Sequence, residues 1–281
     1  ALMGIPIFET APYLSQAYSF GLEDMDSVYR AFIRVFRELV PPPAGARKAV
    51  GVDGCKGGWA AVSLLGNRAD VEIFPAVSDL FAAHADAELF LIDMPIGLPE
   101  SPADKRPEEA ARKLLSGKAS SIFNCPCRQA VYADLKDASA VNKAVLGKAL
   151  CAQSVSLIPK IRELDEYLEA HEDIRPRVLE SHPELCFAKL SGAPVQESKR
   201  TPEGQQKRLD ILSPLCPAVR GAVEHAGFPK KKAAPDDLID AACLAVAARL
   251  SLERPFKTVP ERPEKDARGL IMQMVYAEKS E

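Results

Sequence analysis

Four carboxylates stand on stretches that are otherwise apolar. Asp53 closes the run KAVGVD (48–53), Asp93 closes AELFLID (87–93), Glu180 ends RPRVLE (175–180), and Asp240 lies inside PDDLIDAACLAVAARL (235–250). A carboxylate among buried side chains is costly unless it is paired or bound to a cation, so each of these acids needs a partner. Asp236 and Asp237 fall where helix caps and the helix dipole favour acids, and the helix start alone explains them. Asp240 lies a turn further in, at i+3 from Asp237 and on the same face. Ser181 and Glu184 have the S-x-x-E spacing of a capping box, which assigns Glu184 a structural role and leaves Glu180 without one. If three strands and one helix bring these acids together, mutual repulsion raises their pKa values unless a divalent cation neutralises them. Hard oxygen ligands select Mg2+ or Mn2+. The chemistry expected of such a site is metal-dependent phosphodiester hydrolysis, one ion activating water and another stabilising the leaving oxygen. Asp53, Asp93 and Asp240 are the expected ligands, with Asp237 or Glu180 completing the shell.

Other chemistry is weaker in the pattern. Lys199-Arg200 with Lys207-Arg208, and Lys230-Lys231-Lys232, are the two basic clusters. Lys199 and Arg208 are candidates for holding phosphate, although solvated surface explains such clusters equally well. The seven cysteines form no regular framework, and Cys125-Pro126-Cys127 has too short a spacing for a zinc knuckle. The glycine turn after Asp53 could cradle nucleotide phosphates, as in the actin and sugar-kinase ATPases. Those need two such domains, however, and no G-x-x-x-x-G-K-S/T loop is present. ATP-dependent phosphotransfer is therefore one alternative, and a nucleic-acid- or nucleotide-binding protein of the same fold without turnover is another. Trp59, the only tryptophan, is expected in the core rather than as a base-stacking platform.

The elements that must position these acids follow from periodicity. Residues 48–53, 58–65 and 71–74 read as three strands joined by tight turns, with a helix over 77–84 and a further strand ending at Asp93. Residues 104–172 read as helices with breaks, Pro159 being one place for an interruption. A short strand carries Glu180 and leads into a helix. Residues 191–233 read as loop with a helix near 203–213. The stretch 235–250 is a helix apolar nearly all round, which implies burial. Ahead of all this, MDSVYRAFIRVFREL (25–39) is an amphipathic helix stopped by Pro41-Pro42-Pro43. It covers the protein's own core or docks a second copy or a partner chain. The expected division is thus an N-terminal helical extension and linker over 1–45 and one α/β domain over 46–281.

The chain has 281 residues, 47% of them hydrophobic and 27% charged, with a formal net charge of -3. That is ordinary for a globular enzyme and argues against a wholly basic nucleic-acid-binding surface. No apolar run approaches the ~20 residues of a membrane span, and no basic segment precedes an apolar one at the N-terminus. A cytoplasmic protein with no membrane partner is the expectation.

VGVDGCKGGW, IDMPIGLPE, LESHPELCFAKL and DDLIDAACLAVAA, in that order, resemble a bacterial and archaeal family of predicted RNase H-like nucleases. PKIRELD (159–165), SSIF (120–123) and the spaced Ser198, Lys199, Glu203, Gly204 and Arg208 look like further motifs of that family. The resemblance covers about residues 48–275. It implies an RNase H-like mixed sheet, three antiparallel strands followed by parallel ones, with helices on both faces and a helical insertion. It also implies a nucleic-acid substrate. Asp53 matches the metal-anchoring aspartate of the first strand, Asp93 the acid at the fourth strand's end, and Asp237 with Asp240 the paired acids of the RuvC branch. Glu180 is similar to the glutamate of the family's E-x-H-P-E motif. DKRPEEAAR (104–112) follows the family pattern loosely and gives Arg106 and Arg112 no definite role.

Overall fold

A computed structural model describes residues 41–279, so the helix expected over 25–39 lies outside the described residues. The chain forms a mixed α/β structure around a five-stranded sheet. β1 (Lys48–Cys55), β2 (Gly58–Leu65) and β3 (Arg68–Phe74) form an antiparallel meander; β4 (Leu89–Ile92) and β5 (Val178–Glu180) then add in parallel. The order across the sheet is β3-β2-β1-β4-β5. Connections between the parallel strands carry helices: α1 (Val77–Ala83) before β4, and between β4 and β5 an insertion of α2 (Glu108–Lys113), α3 (Arg128–Tyr132), α4 (Ala138–Leu146) and α5 (Ala152–Ala170). After β5 come α6 (Pro183–Ser191), α7 (Pro202–Leu212), α8 (Pro217–Glu224) and α9 (Pro235–Glu253). A two-stranded hairpin, β6 (Lys257–Lys265) and β7 (Ile271–Tyr276), follows. None of these helices is long and apolar enough to cross a membrane.

Side chains alternate across a strand, and the two faces of the sheet feed two separate cores. Val50, Val52, Phe90, Ile92 and Val178 pack with α1 and α5. Ala49, Leu89 and Leu91 pack on the other face with α6 to α9. Trp59 is fully buried in the first core, as expected, and its indole N–H donates to Glu163 at 3.0 Å. α9 is buried nearly throughout, also as expected, and lies directly on β1. At Gly51 the approach is so close that an added Cβ would overlap the Ala245 amide nitrogen and the Ala241 carbonyl oxygen. Only a residue without a side chain lets this helix settle there.

The insertion differs in detail from the periodicity reading. α5 runs unbroken through the exposed Pro159, and the break falls earlier, at Gly147 in the left-handed region, φ 73°. Each charged residue of the PKIRELD stretch ties α5 down. Lys160 donates to Gly58 O, Arg162 to Val131 O and Ala133 O, Glu163 accepts from Trp59 and Val77 N, and Asp165 pairs with Arg128. Arg128 also pairs with Asp266 at 2.5 Å, and Asp266 accepts from Leu98 N, so the C-terminal hairpin is latched to the insertion.

Candidate functional site

Strand register brings the first two acids together. Val52 is opposite Ile92, and Asp93 N–H donates to Val52 O at 2.9 Å, which extends the parallel pairing by one residue and sets Asp93 beside Asp53. Asp53 follows Gly51 by two positions and so faces α9, whose first turns present Asp240 to it. Asp53, Asp93, Asp237 and Asp240 all line one cavity of about 440 Å3 at the carboxyl end of the parallel strands. Ligand sites in open α/β sheets gather at that end. Its lining includes eight carboxylate residues against Lys199 and Arg200 as its only lysine and arginine.

Burial is the largest influence on Asp53. With Asp93 and Asp240 adding their charge, it lifts the Asp53 carboxyl well above the ordinary aspartate range, while Lys199 pulls it back. Asp240, only 1% exposed, is pushed up to about 6 by burial against the opposing ion pair with Lys199. That pair is tight: Lys199 Nζ donates to Asp240 Oδ2 at 2.5 Å. Burial works against the Lys199 charge, but Asp240, Asp53 and Asp93 outweigh it and raise its pKa. Asp240 Oδ1 is buried with no partner.

This donor set is all hard oxygen, and Asp240 Oδ1 is an oxygen left over for a cation, so in kind the residues fit Mg2+ or Mn2+. They are not assembled as a cage. Among the described residues no three acidic, histidine or cysteine side chains are gathered closely enough to hold a metal ion. The positive charge among them is the Lys199 ammonium, which is closer to the acids than the surface-cluster reading of Lys199 implied.

The remaining expected site residues have other duties. Asp237 accepts from Ala234 N at 2.8 Å and closes the first turn of α9, and burial raises its carboxyl pKa. Glu180 also lines the cavity, but it is opposite Ile92 in the strand register and so leaves β5 on the face away from α9. There it accepts from Ile96 N at 2.7 Å and pairs with Arg106 at 2.7 Å, and Arg106 also holds Glu108 at 2.8 Å. The residue thought to lack a structural role thus has one, and the partner was the arginine that the motif left unassigned. Burial pushes the Glu180 carboxyl up to about 8 even against the Arg106 charge, since one guanidinium serves two buried acids. The capping box expected of Ser181 and Glu184 does not form. Ser181 Oγ donates to Val275 O, and Glu184 pairs with Arg208 at 2.5 Å. Arg208 is fully buried and also donates to Glu197 O and Gly204 O, which removes it from phosphate contact. Arg200 was missed: it is exposed, lines the cavity and has no ion pair among the described residues. The glycine turn after Asp53 is occupied as well, because Gly57 N–H donates to Lys232 O at 2.6 Å.

The profile of a family described as "Protein of unknown function (DUF429)" matches residues 51–265, a span that holds every acid of the cavity. The chain belongs to DUF429. Neither the curated proteins nor the solved structures yield a match. The DUF429 span begins at Gly51, where α9 sits on β1, and ends one residue before Asp266, which latches the hairpin.

Proposed function

We propose that this DUF429 protein is a cation-dependent nuclease of RNase H-like fold. The observation that carries the reading is the convergence of Asp53 from β1, Asp93 from the end of β4 and Asp240 from α9 on one cavity, with a buried Asp240 oxygen lacking a partner. An antiparallel meander followed by parallel strands is the sheet that RNase H-like enzymes use, which supports the fold half of the reading. Asp53, Asp93 and Asp240 would hold Mg2+ or Mn2+. Bound there, the cation would polarise the scissile phosphate and lower the pKa of a water. The chain's own residues do the rest. Asp240 would hold the ion in place of its Lys199 pairing, which would leave the Lys199 ammonium for the phosphate, and Arg200 on the cavity lining would meet the backbone charge. Asp237 is less available, since one of its oxygens holds the α9 cap.

The Lys199–Asp240 pair favours one second reading: a nucleic-acid-binding protein that neutralises its acids internally and performs no hydrolysis. Thermal unfolding with and without millimolar Mn2+ separates the two. A cation that binds only the folded state raises its stability by RT ln(1 + [L]/Kd), about 2.7 kcal/mol at a hundredfold excess over Kd. We expect a Mn2+-dependent rise in wild type that is absent in Asp53→Asn. We also expect wild type to cleave single-stranded DNA or single-stranded RNA in Mn2+, and the cleavage to be lost in Asp53→Asn and Asp240→Asn while both remain folded. Without metal Asp53→Asn should be at least as stable as wild type at pH 7, because it removes a buried carboxylate whose ionisation the fold opposes. Cleavage by Asp53→Asn at the wild-type rate would refute the assignment.

Lys199→Met sharpens the same experiment. If the ammonium competes with the cation for Asp240, its removal lowers the Mn2+ concentration at which stabilisation is half complete. It also lowers the stability of the metal-free protein, because Asp240 is then buried with no counter-charge. An unchanged Mn2+ midpoint would show that Lys199 and the cation do not share a ligand.

A further inference from the structure

The cavity is also lined by the stretch 121–126, whose construction the hydrolytic reading does not use. Its backbone is fixed from three elements. Arg112 of α2 donates to Ile122 O at 3.0 Å and, through a second nitrogen, to Asn124 Oδ1 at 2.5 Å. Ser154 of α5 donates to Asn124 O at 3.4 Å, and the His182 ring at the start of α6 bonds Ser121 O at 3.3 Å. Ile122 and Cys125 on either side are sunk into the two cores.

Between these anchors Phe123 is treated differently. It is half-buried, it lines the cavity, and among the described residues it belongs to none of the hydrophobic clusters and stacks on no other ring. A phenylalanine held on a loop anchored on both sides and placed on the cavity lining can offer a flat apolar face to whatever enters. The cavity wall also carries Leu157 and the Gln153 side-chain amide, which has no hydrogen bond among the described residues. The cavity thus combines, in its lining, charged groups with an apolar surface and an amide. Its volume of about 440 Å3 is on the scale of pockets that enclose one small molecule, not a duplex.

We propose that Phe123 is the stacking platform for one unpaired nucleobase, so that the cavity takes a nucleotide of single-stranded DNA or RNA. The base would lie on the Phe123 ring and its phosphate at the acids and Arg200. A base can offer its face to a ring only when it is unstacked, and such stacking tolerates any sequence. This rests on the nucleic-acid part of the proposed function but not on hydrolysis.

The test uses the full chain, with Ca2+ as the divalent ion and single-stranded oligonucleotides of DNA and of RNA carrying one 2-aminopurine. Stacking on Phe123 quenches the probe's fluorescence severalfold on binding. Phe123→Leu keeps the apolar volume and should lose both the quenching and about tenfold or more in affinity, whereas Phe123→Tyr retains both. An oligonucleotide abasic at the bound position should bind wild type and Phe123→Leu alike. The DNA and RNA arms show which sugar is accepted. Quenching that survives in Phe123→Leu, or failure of both strands to bind wild type, overturns the proposal. Binding with quenching but without cleavage in Mn2+ would sink hydrolysis and leave this inference standing. Cleavage that is indifferent to Phe123→Leu would sink this inference alone.

Discussion

Gly51→Val should leave the chain without a stable native state, with a loss above about 4 kcal/mol, in the range reserved for substitutions that break a packing contact outright. The physical reason is backbone against backbone. A Cβ at this position overlaps the amide nitrogen of Ala245 and the carbonyl oxygen of Ala241, and neither can turn aside as a side chain can. α9 must then lift from β1. It carries a fully apolar surface into the core shared by α6 to α8, so the displacement reaches every layer on that face. It also carries Asp240, and raising the helix takes that acid away from Asp53. Urea unfolding followed by far-ultraviolet circular dichroism checks the expectation, and Gly51→Ala should show the same defect because the first side-chain atom already collides. A Gly51→Val protein with a wild-type midpoint would mean that α9 is not seated on β1.

The same contact shows what the sequence could and could not convey. A helix apolar nearly all round and an acid within it are visible in PDDLIDAACLAVAARL, and burial of both follows from hydrophobicity alone. The strand ends at Asp53 and Asp93 are equally legible, because short apolar runs broken by Gly or Pro have few other interpretations. Partners are another matter. Glu180 reads as an acid without a role because its partner, Arg106, is 74 residues away on a loop, and no periodicity links the two. Face is lost too: one residue of register decides that Glu180 shares the sheet face of Ile92 while lining the same cavity as Asp240. Ser181 and Glu184 have the spacing of a cap, yet Val275 O and Arg208 claim them, since a local motif yields when tertiary partners offer more. The hairpin β6–β7 gives little signal at all. Lys257–Lys265 contains two prolines and five charged side chains, a composition that argues against a strand unless it lies at an edge.

Arg106→Leu is expected to destabilise the protein by about 3 to 5 kcal/mol near pH 8, the cost of removing one partner from a buried charge pair. Here the cost is sharpened because a single guanidinium, itself 6% exposed, serves Glu180 and Glu108, which are 2% and 7% exposed. Without it two carboxylates face each other in the interior with only the Ile96 amide to satisfy Glu180. The defect should depend on pH in a definite direction. Below the ordinary glutamate value of 4.5 Glu180 is protonated in the folded and the unfolded chain, so its charge contributes nothing to the difference. As pH rises, the unfolded chain ionises first. The folded chain resists, as it already does in wild type, where Glu180 holds its proton up to about 8. The unfolded state then binds fewer protons than the native state, and stability falls with rising pH through that window. Loss of Arg106 removes the main opposing charge, raises the folded Glu180 pKa further and steepens the fall. Thermal unfolding of wild type and Arg106→Leu between pH 4.5 and 8.5 measures it: the two midpoints should approach each other at the acid end and diverge toward the alkaline end. A gap that stays constant across the range would show that Arg106 acts through packing rather than by neutralising the pair.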